Sequence, residues 1–183
     1  MIQKKKCLLI SQHFFPEEFI INDIVKRSKK IKYRILTAYP NYPNILSHLD
    51  YYKKFLKRKK KFNKSVISRV FVFPRQFNFF LEILLNYLSF IIFGIIRLFF
   101  IKKNSYDFIF VYATSPLYQA IIGVVGKKLF KKKLVIWVQD LWPESLIYTG
   151  YIKNKKIIKV LNYLTNFIYE SSDIILAQSQ ELK

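Results

Sequence analysis

The stretch KLVIWVQDLWPES (residues 133–145) changes character halfway along. Leu134 to Val138 run without a polar beat, the pattern of a strand buried on both faces. Within the next seven residues come Gln139, Asp140, Trp142, Pro143 and Glu144. A strand covered on both faces belongs to a parallel sheet flanked by helices. Ligands of such sheets sit beyond the carboxyl ends of the strands, so the polar cluster marks the rim of a crevice.

Working outward, the same alternation recurs. CLLIS (7–11), YRILTAY (33–39), VISRVFVF (66–73), DFIFVYA (107–113) and IILAQS (174–179) read as strands beside KLVIWVQ (133–139). Between them, EEFIINDIVKRSKK (17–30) pairs Ile20 with Ile24 and Ile21 with Val25 at helical spacing. KNKKIIKVLNYLTNFIYESS (153–172) does so with Ile157, Leu161, Leu164 and Ile168. Ser115-Pro116 reads as an N-cap followed by a first-turn proline. The order is βαβ throughout, which predicts an α/β fold: six parallel strands flanked by helices. The loops at their carboxyl ends hold SQHFFPEE, AYPNYPN, FPRQ, YATSP, VQDLWPES and AQSQ.

The chain has 183 residues, enough for one domain with a sizeable core. Lys and Arg outnumber Asp and Glu by 32 to 11, a net charge of +21, which suits anionic partners. A/T-rich codons also favour Lys, Ile, Asn, Phe and Tyr, so charge alone selects no partner. The single cysteine, Cys7, forms no intramolecular disulfide and fits a reducing compartment. The apolar run near the N-terminus is too short for a signal peptide, which predicts a cytoplasmic location.

FFLEILLNYLSFIIFGIIRLFF (79–100) is long enough to cross about 30 Å of hydrocarbon. Glu82, Asn86, Ser89 and Arg97 fall within an arc of about 80°, a polar stripe on an apolar cylinder. Three placements are open to it: a membrane span, a core helix, or an interfacial helix with lysines on anionic headgroups. A span would put three strands on each side of the bilayer and break the sheet. Lys57–Lys61 before it and Lys102–Lys103 after it give no charge bias to orient a span.

Several chemistries are excluded by what is missing. No GxGxxG, Walker loop or GxSxG elbow occurs, and two histidines with one cysteine make no metal site. Among the loop residues, His13 follows the first strand, where it either faces a ligand or is merely solvated. Glu17 and Glu18 precede a helix and complement its dipole. Thr114 and Ser115 stand at a helix start, fit to seat a phosphate or sugar hydroxyl or simply to cap. Asp140 either caps a short helix from Leu141 or, with Gln139, Trp142 and Glu144, lines a carbohydrate crevice. Indoles stack on sugar rings, and carboxylates and amides bond their hydroxyls.

FFPEEFIINDIV, LTAYPNYP, LNYLSF, FIFVYATSP, WVQDLWPES, TGYIKN and IYESSDIILAQS, in this order, resemble the amino-terminal domain of family 4 glycosyltransferases. The closest branch builds bacterial O-antigen and capsule and includes enzymes similar to L-fucosamine transferases. The resemblance implies a Rossmann-like domain over 1–183, one half of a GT-B architecture; the apolar helix at 77–101, read from its residues with membrane association as one open placement, agrees with it. It implies retaining, metal-independent sugar transfer from a nucleotide-sugar, a UDP-sugar donor, to a polyprenyl-diphosphate-linked glycan. The place of action would be the inner face of the cell membrane, peripheral on its anionic surface. Asp140 and Glu144 take the catalytic positions. His13, Asn41, Tyr42, Thr114, Ser115, Gln139 and Trp142 take the substrate-binding ones. No metal or other cofactor is implied.

The pattern also departs from the family. Gln139-Asp140 stands where many members carry a cleft histidine, the first loop lacks a glycine pair, and the second strand lacks a preceding Gly-His. The carboxyl-terminal donor-binding domain has no counterpart, so the chain alone is expected to transfer no sugar without a separate donor-binding partner. The competing reading is a truncated, inactive membrane-docking or partner-binding remnant. A third, nucleic-acid binding, rests on charge alone, without aromatic platforms or a recognisable motif, and no nucleic-acid partner is expected.

Overall fold

The computed structural model describes residues 4–48, 61–77, 79–102, 105–148, 150 and 152–179. Strands β1 (Lys5–Ile10), β2 (Ile31–Ala38), β4 (Ser65–Val70), β5 (Phe108–Ala113), β6 (Lys133–Val138) and β7 (Ile174–Ala177) form one parallel sheet, and β3 (Lys61–Phe62) pairs antiparallel at its edge. The order is β3-β4-β2-β1-β5-β6-β7. Without β3 this is the doubly wound order of a Rossmann-like sheet, in which connections run outward in both directions from the centre. The six expected strands and their common direction are present. The third is shorter than expected: after Val70 the chain leaves the sheet, and the Phe73 amide bonds Ser89 Oγ across 2.8 Å.

The β3–β4 hairpin went unread because lysines precede it. Asn63 turns it at φ 52°, a conformation asparagine tolerates better than most residues. Residues 51–60 of the lysine-rich stretch, and Lys103 of the second cluster, lie outside the described residues.

Burial explains the missing polar beat. β1 buries Cys7, Leu8, Leu9 and Ile10 completely, alternate side chains entering different cores. On one face Leu8, Ile10, Leu36, Val111 and Ile136 pack under α2 (Phe80–Phe99), α3 (Ala120–Phe130) and α5 (Lys155–Glu170). On the other, Cys7, Leu9 and Ile35 pack under Ile21 and Val25 of α1 (Ile20–Arg27). Ile20 and Ile24, the other helical pair, face outward. In α5 the Asn154 side chain accepts from the Lys156 and Ile157 amides as an N-cap; Ile168 is buried while Ile157 is exposed.

The sheet topology answers one part of the question that the sequence of helix α2 left open. It joins β4 to β5, and both strands lie in the same sheet, so it does not separate the strands across a membrane. It is also not buried all round. Asn86, Phe90, Gly94 and Leu98, at a spacing of four, form its inward stripe. Leu81, Leu84, Leu88, Ile92, Ile96 and Phe99 stand exposed. At Gly94 an added Cβ would come 2.5 Å from Ile122 Cδ1, so glycine lets α2 approach α3 closely. The polar members of the stripe turn toward the protein, except Arg97, which is exposed. The buried stripe thus sets one amide among Phe90, Gly94 and Leu98, while the exposed face is apolar apart from Arg97.

Candidate functional site

Loops after β1 and β5 meet at the switch point, where adjacent strands send their connections to opposite faces. The Gln12 amide donates to Gln119 Oε1 across 2.9 Å, closing this junction. Gln119 Nε2 in turn donates to the Thr114 carbonyl at 3.0 Å and its hydroxyl at 3.2 Å. On the other side Gln12 Nε2 donates to Asn86 Oδ1 at 2.6 Å. Asn86 Nδ2 donates to Asn41 Oδ1 at 2.8 Å and to the Phe73 carbonyl at 2.6 Å. The Asn41 amide then reaches Glu17 Oε1 at 2.8 Å, and Glu17 Oε2 meets His13 Nδ1 at 3.0 Å. One hydrogen-bonded chain therefore joins Thr114, Asn41 and His13 along the sheet rim, through four residues that sequence reading did not assign to the site.

Glu17 is the anchor of the first loop. Its carboxylate also accepts from the Tyr42 amide at 2.8 Å and the Phe14 amide at 3.3 Å. Burial pushes this carboxyl up, but the hydrogen bond and charge of His13 and the amides of Asn41 and Tyr42 outweigh it and hold it below the usual carboxylate range. The dipole reading of Glu17 is corrected: it is buried, three residues before α1, and its partners lie on two loops. His13 is buried too, stacked on Phe19 at 5.3 Å and tilted against Tyr42 at 5.2 Å. With Nδ1–H directed at Glu17, the ring's other nitrogen, Nε2, lies outside that contact.

The second cluster lies after β6. The Ser115 hydroxyl donates to Asp140 Oδ2 and accepts from Trp142 Nε1 at 3.2 Å. Ser115 therefore does not cap a helix: its side chain is engaged across the loop, a 3-10 turn runs over Leu117–Gln119, and α3 starts only at Ala120. Nor does a helix start at Leu141; α4 (Glu144–Tyr148) follows a turn. Trp142 is buried, edge-on to Tyr118 at 5.5 Å, so the indole walls the loop from inside. Asp140 is exposed at the rim and its charge raises Tyr112, whose first cause of elevation is burial; the Tyr112 hydroxyl donates to Gln139 Oε1 at 3.3 Å. Glu144 is half-buried, and its charge is felt at Tyr118 and Tyr169.

The structure thus brings His13, Asn41, Tyr42 and Thr114 together through one network, and Ser115, Asp140 and Trp142 through another joined to it at the Thr114–Ser115 step. Gln12, Glu17, Asn86 and Gln119 are the missed members. Gln12 carried a faint signal, as an amide just past a strand end, and Gln119, at the end of a 3-10 turn, carried none. Asn86 carried a stronger one, as a lone amide in an apolar helix.

No family model matches the chain, and no curated protein matches it. Solved structures do. UGT89C1 of Arabidopsis thaliana complexed with quercetin is similar over 97% of this chain and 44% of its own, at 13% identity and a TM-score of 0.51. Its complex with UDP gives 96%, 43%, 14% and 0.49. The structure of MT0777 is similar over 94% of this chain and 84% of its own, at 13% identity and a TM-score of 0.42. The chain spans less than half the length of UGT89C1. The likeness is one of fold alone: an α/β, Rossmann-like parallel sheet flanked by helices.

Proposed function

We propose that this chain is the acceptor-binding part of a glycosyltransferase that moves a sugar from a nucleotide-sugar to a lipid-linked glycan. One observation carries this reading: a continuous polar network lies at the switch point of the sheet, tied through Asn86 to a helix whose apolar face is exposed. A sugar needs hydroxyl partners held in place, which exposed Asp140 and half-buried Thr114 offer, while buried Asn41 and His13 hold the loops that frame them. A lipid-linked acceptor needs a protein that rests on the bilayer, which the outward face of α2 offers. The fold shared with glycosyltransferase structures supports the same reading.

In the complete reaction the acceptor hydroxyl oxygen bonds to the anomeric carbon as the carbon–diphosphate bond breaks on the same face. The proton passes to the departing diphosphate, and configuration is retained. Asp140, held by Ser115, orients acceptor hydroxyls, and Glu144 acts from the next turn. Positioning and charge stabilisation are the protein's part. The protein sits peripherally on the inner face of the cell membrane, where its positive charge meets anionic lipid.

The test is acceptor binding. A short-chain polyprenyl diphosphate bearing one hexosamine, in detergent micelles, is expected to bind saturably. Asp140→Asn should weaken it about tenfold, the loss of one charge-assisted hydrogen bond, and His13→Ala should weaken it by releasing the loop that Glu17 anchors. Equal affinity in wild type and both variants would contradict the reading.

A further inference from the structure

The segment after β4 carries a buried guanidinium without a counter-ion. Arg75 is 5% exposed, yet its Nε and Nη2 have no hydrogen-bond partner among the described residues, and no carboxylate among them pairs with it. Its contacts are aromatic: the guanidinium carbon lies 4.7 Å from the Tyr87 ring centre on α2 and 6.0 Å from that of Tyr42. Aromatic faces offset part of the desolvation of a cation but accept no N–H in the guanidinium plane. The position is held firmly, since the Arg75 carbonyl accepts from the Ile45 amide at 2.9 Å.

Nε–H and one Nη2–H point along the same edge of a guanidinium and form a two-pronged fork that fits two oxygens of one phosphoryl group. A buried, unpaired charge is expensive to retain, and an apolar side chain would pack there at less cost. A hollow of about 270 Å³, lined by Tyr39, Asn41, Ile45, Phe71, Val72 and Pro74, lies next to Arg75 in the chain: Pro74 precedes it, and the Ile45 amide bonds its carbonyl. Its walls are mostly apolar. Charge and space together suit an anionic head next to an apolar body.

We propose that Arg75 is an oxyanion-binding residue whose Nε–Nη2 edge takes two oxygens of a phosphate ester or diphosphate, between Tyr42 and Tyr87. This assignment stands apart from the transfer reading, because a phosphoryl group can bind at Arg75 in a protein that moves no sugar.

The test reads binding alone. Inorganic diphosphate titrated into the protein is expected to shift the Arg75 Nε–H resonance downfield, saturably, with the resonance assigned by its loss in Arg75→Lys. Calorimetry should show affinity falling at least tenfold in Arg75→Gln and only partly restored in Arg75→Lys, which keeps the charge and loses the fork. Phosphatidylglycerol vesicles form the second arm: Arg75-dependent vesicle binding without diphosphate binding supports a lipid headgroup as the source. An unmoved Nε–H resonance in the wild-type protein with both ligands would overturn the proposal, whether or not the variants fold. So would variants that bind both ligands as tightly as wild type.

Discussion

The side-chain amide of Asn86, inside the most apolar helix of the protein, donates to Oδ1 of Asn41 on the loop after β2, across 2.8 Å. Both residues are buried. The helix that would serve as a lipid-facing element is therefore fastened to the sheet rim by a buried amide in addition to Phe90 and Leu98 in the core.

Replacing Asn86 by Leu should expose this. Gln12 Nε2, Asn41 Oδ1 and the Phe73 carbonyl would each lose a partner in a dry site. At about 1–3 kcal/mol per stranded group, a loss of about 3 kcal/mol or more is expected in urea unfolding. A change below about 1 kcal/mol would mean the network is not holding the loops.

Glu17 sets a pH dependence. Its native carboxyl lies below its unfolded value, so the unfolded state binds the extra proton and stability rises with pH through that window. Its contribution is complete above an unfolded value of about 4.3 and is lost as pH falls through the depressed native one. Glu17→Gln should be less stable than wild type at neutral pH and lose less stability on acidification to about pH 3. Parallel acid limbs for the two proteins would refute the role given to Glu17.

The close approach of α3 to the sheet rests on Gly123. A Cβ there would lie 2.6 Å from Val111 Cγ2 and 2.8 Å from Leu134 Cδ1. Overpacking costs of about 1–3 kcal/mol should outweigh the gain of about 1 kcal/mol in helix propensity. Gly123→Ala is expected to melt lower by about 3 °C or more. An unchanged or raised Tm would show that Val111 and Leu134 yield freely.

The outward face of α2 separates stability from membrane affinity. Leu84, Leu88 and Ile92 are exposed, so exchanging all three for Gln should leave urea stability within about 0.5 kcal/mol. Partition onto anionic vesicles should fall at least about tenfold, since each side chain withdraws apolar area from the contact. Unfolding of the variant, or undiminished partition, would each count against an interfacial face.

The parallel sheet was legible because strands covered on both faces cannot afford a polar beat, and Leu8–Ile10 and Leu134–Val138 have none. The helical spacing of α2 was equally plain. Its orientation was not, because periodicity marks a stripe without saying which side of it is inside. Asn86 and Ser89 lie on the inward side only because the loops after β2 and β4 supply their partners. Glu17 was misread for a related reason: its partners Asn41 and Tyr42 lie 24 and 25 residues away, and a local rule about helix starts cannot see them. Ser115 looked like a cap until Asp140 and Trp142, both more than 20 residues on, claimed its hydroxyl.

Hydrogen exchange in the presence of the polyprenyl-diphosphate hexosamine tests the acceptor site most directly. Slowed exchange confined to the amides of Gln12–His13, Asn41–Tyr42, Thr114–Ser115 and Gln139–Asp140 is the predicted result. Protection elsewhere with these four loops unchanged would contradict the account.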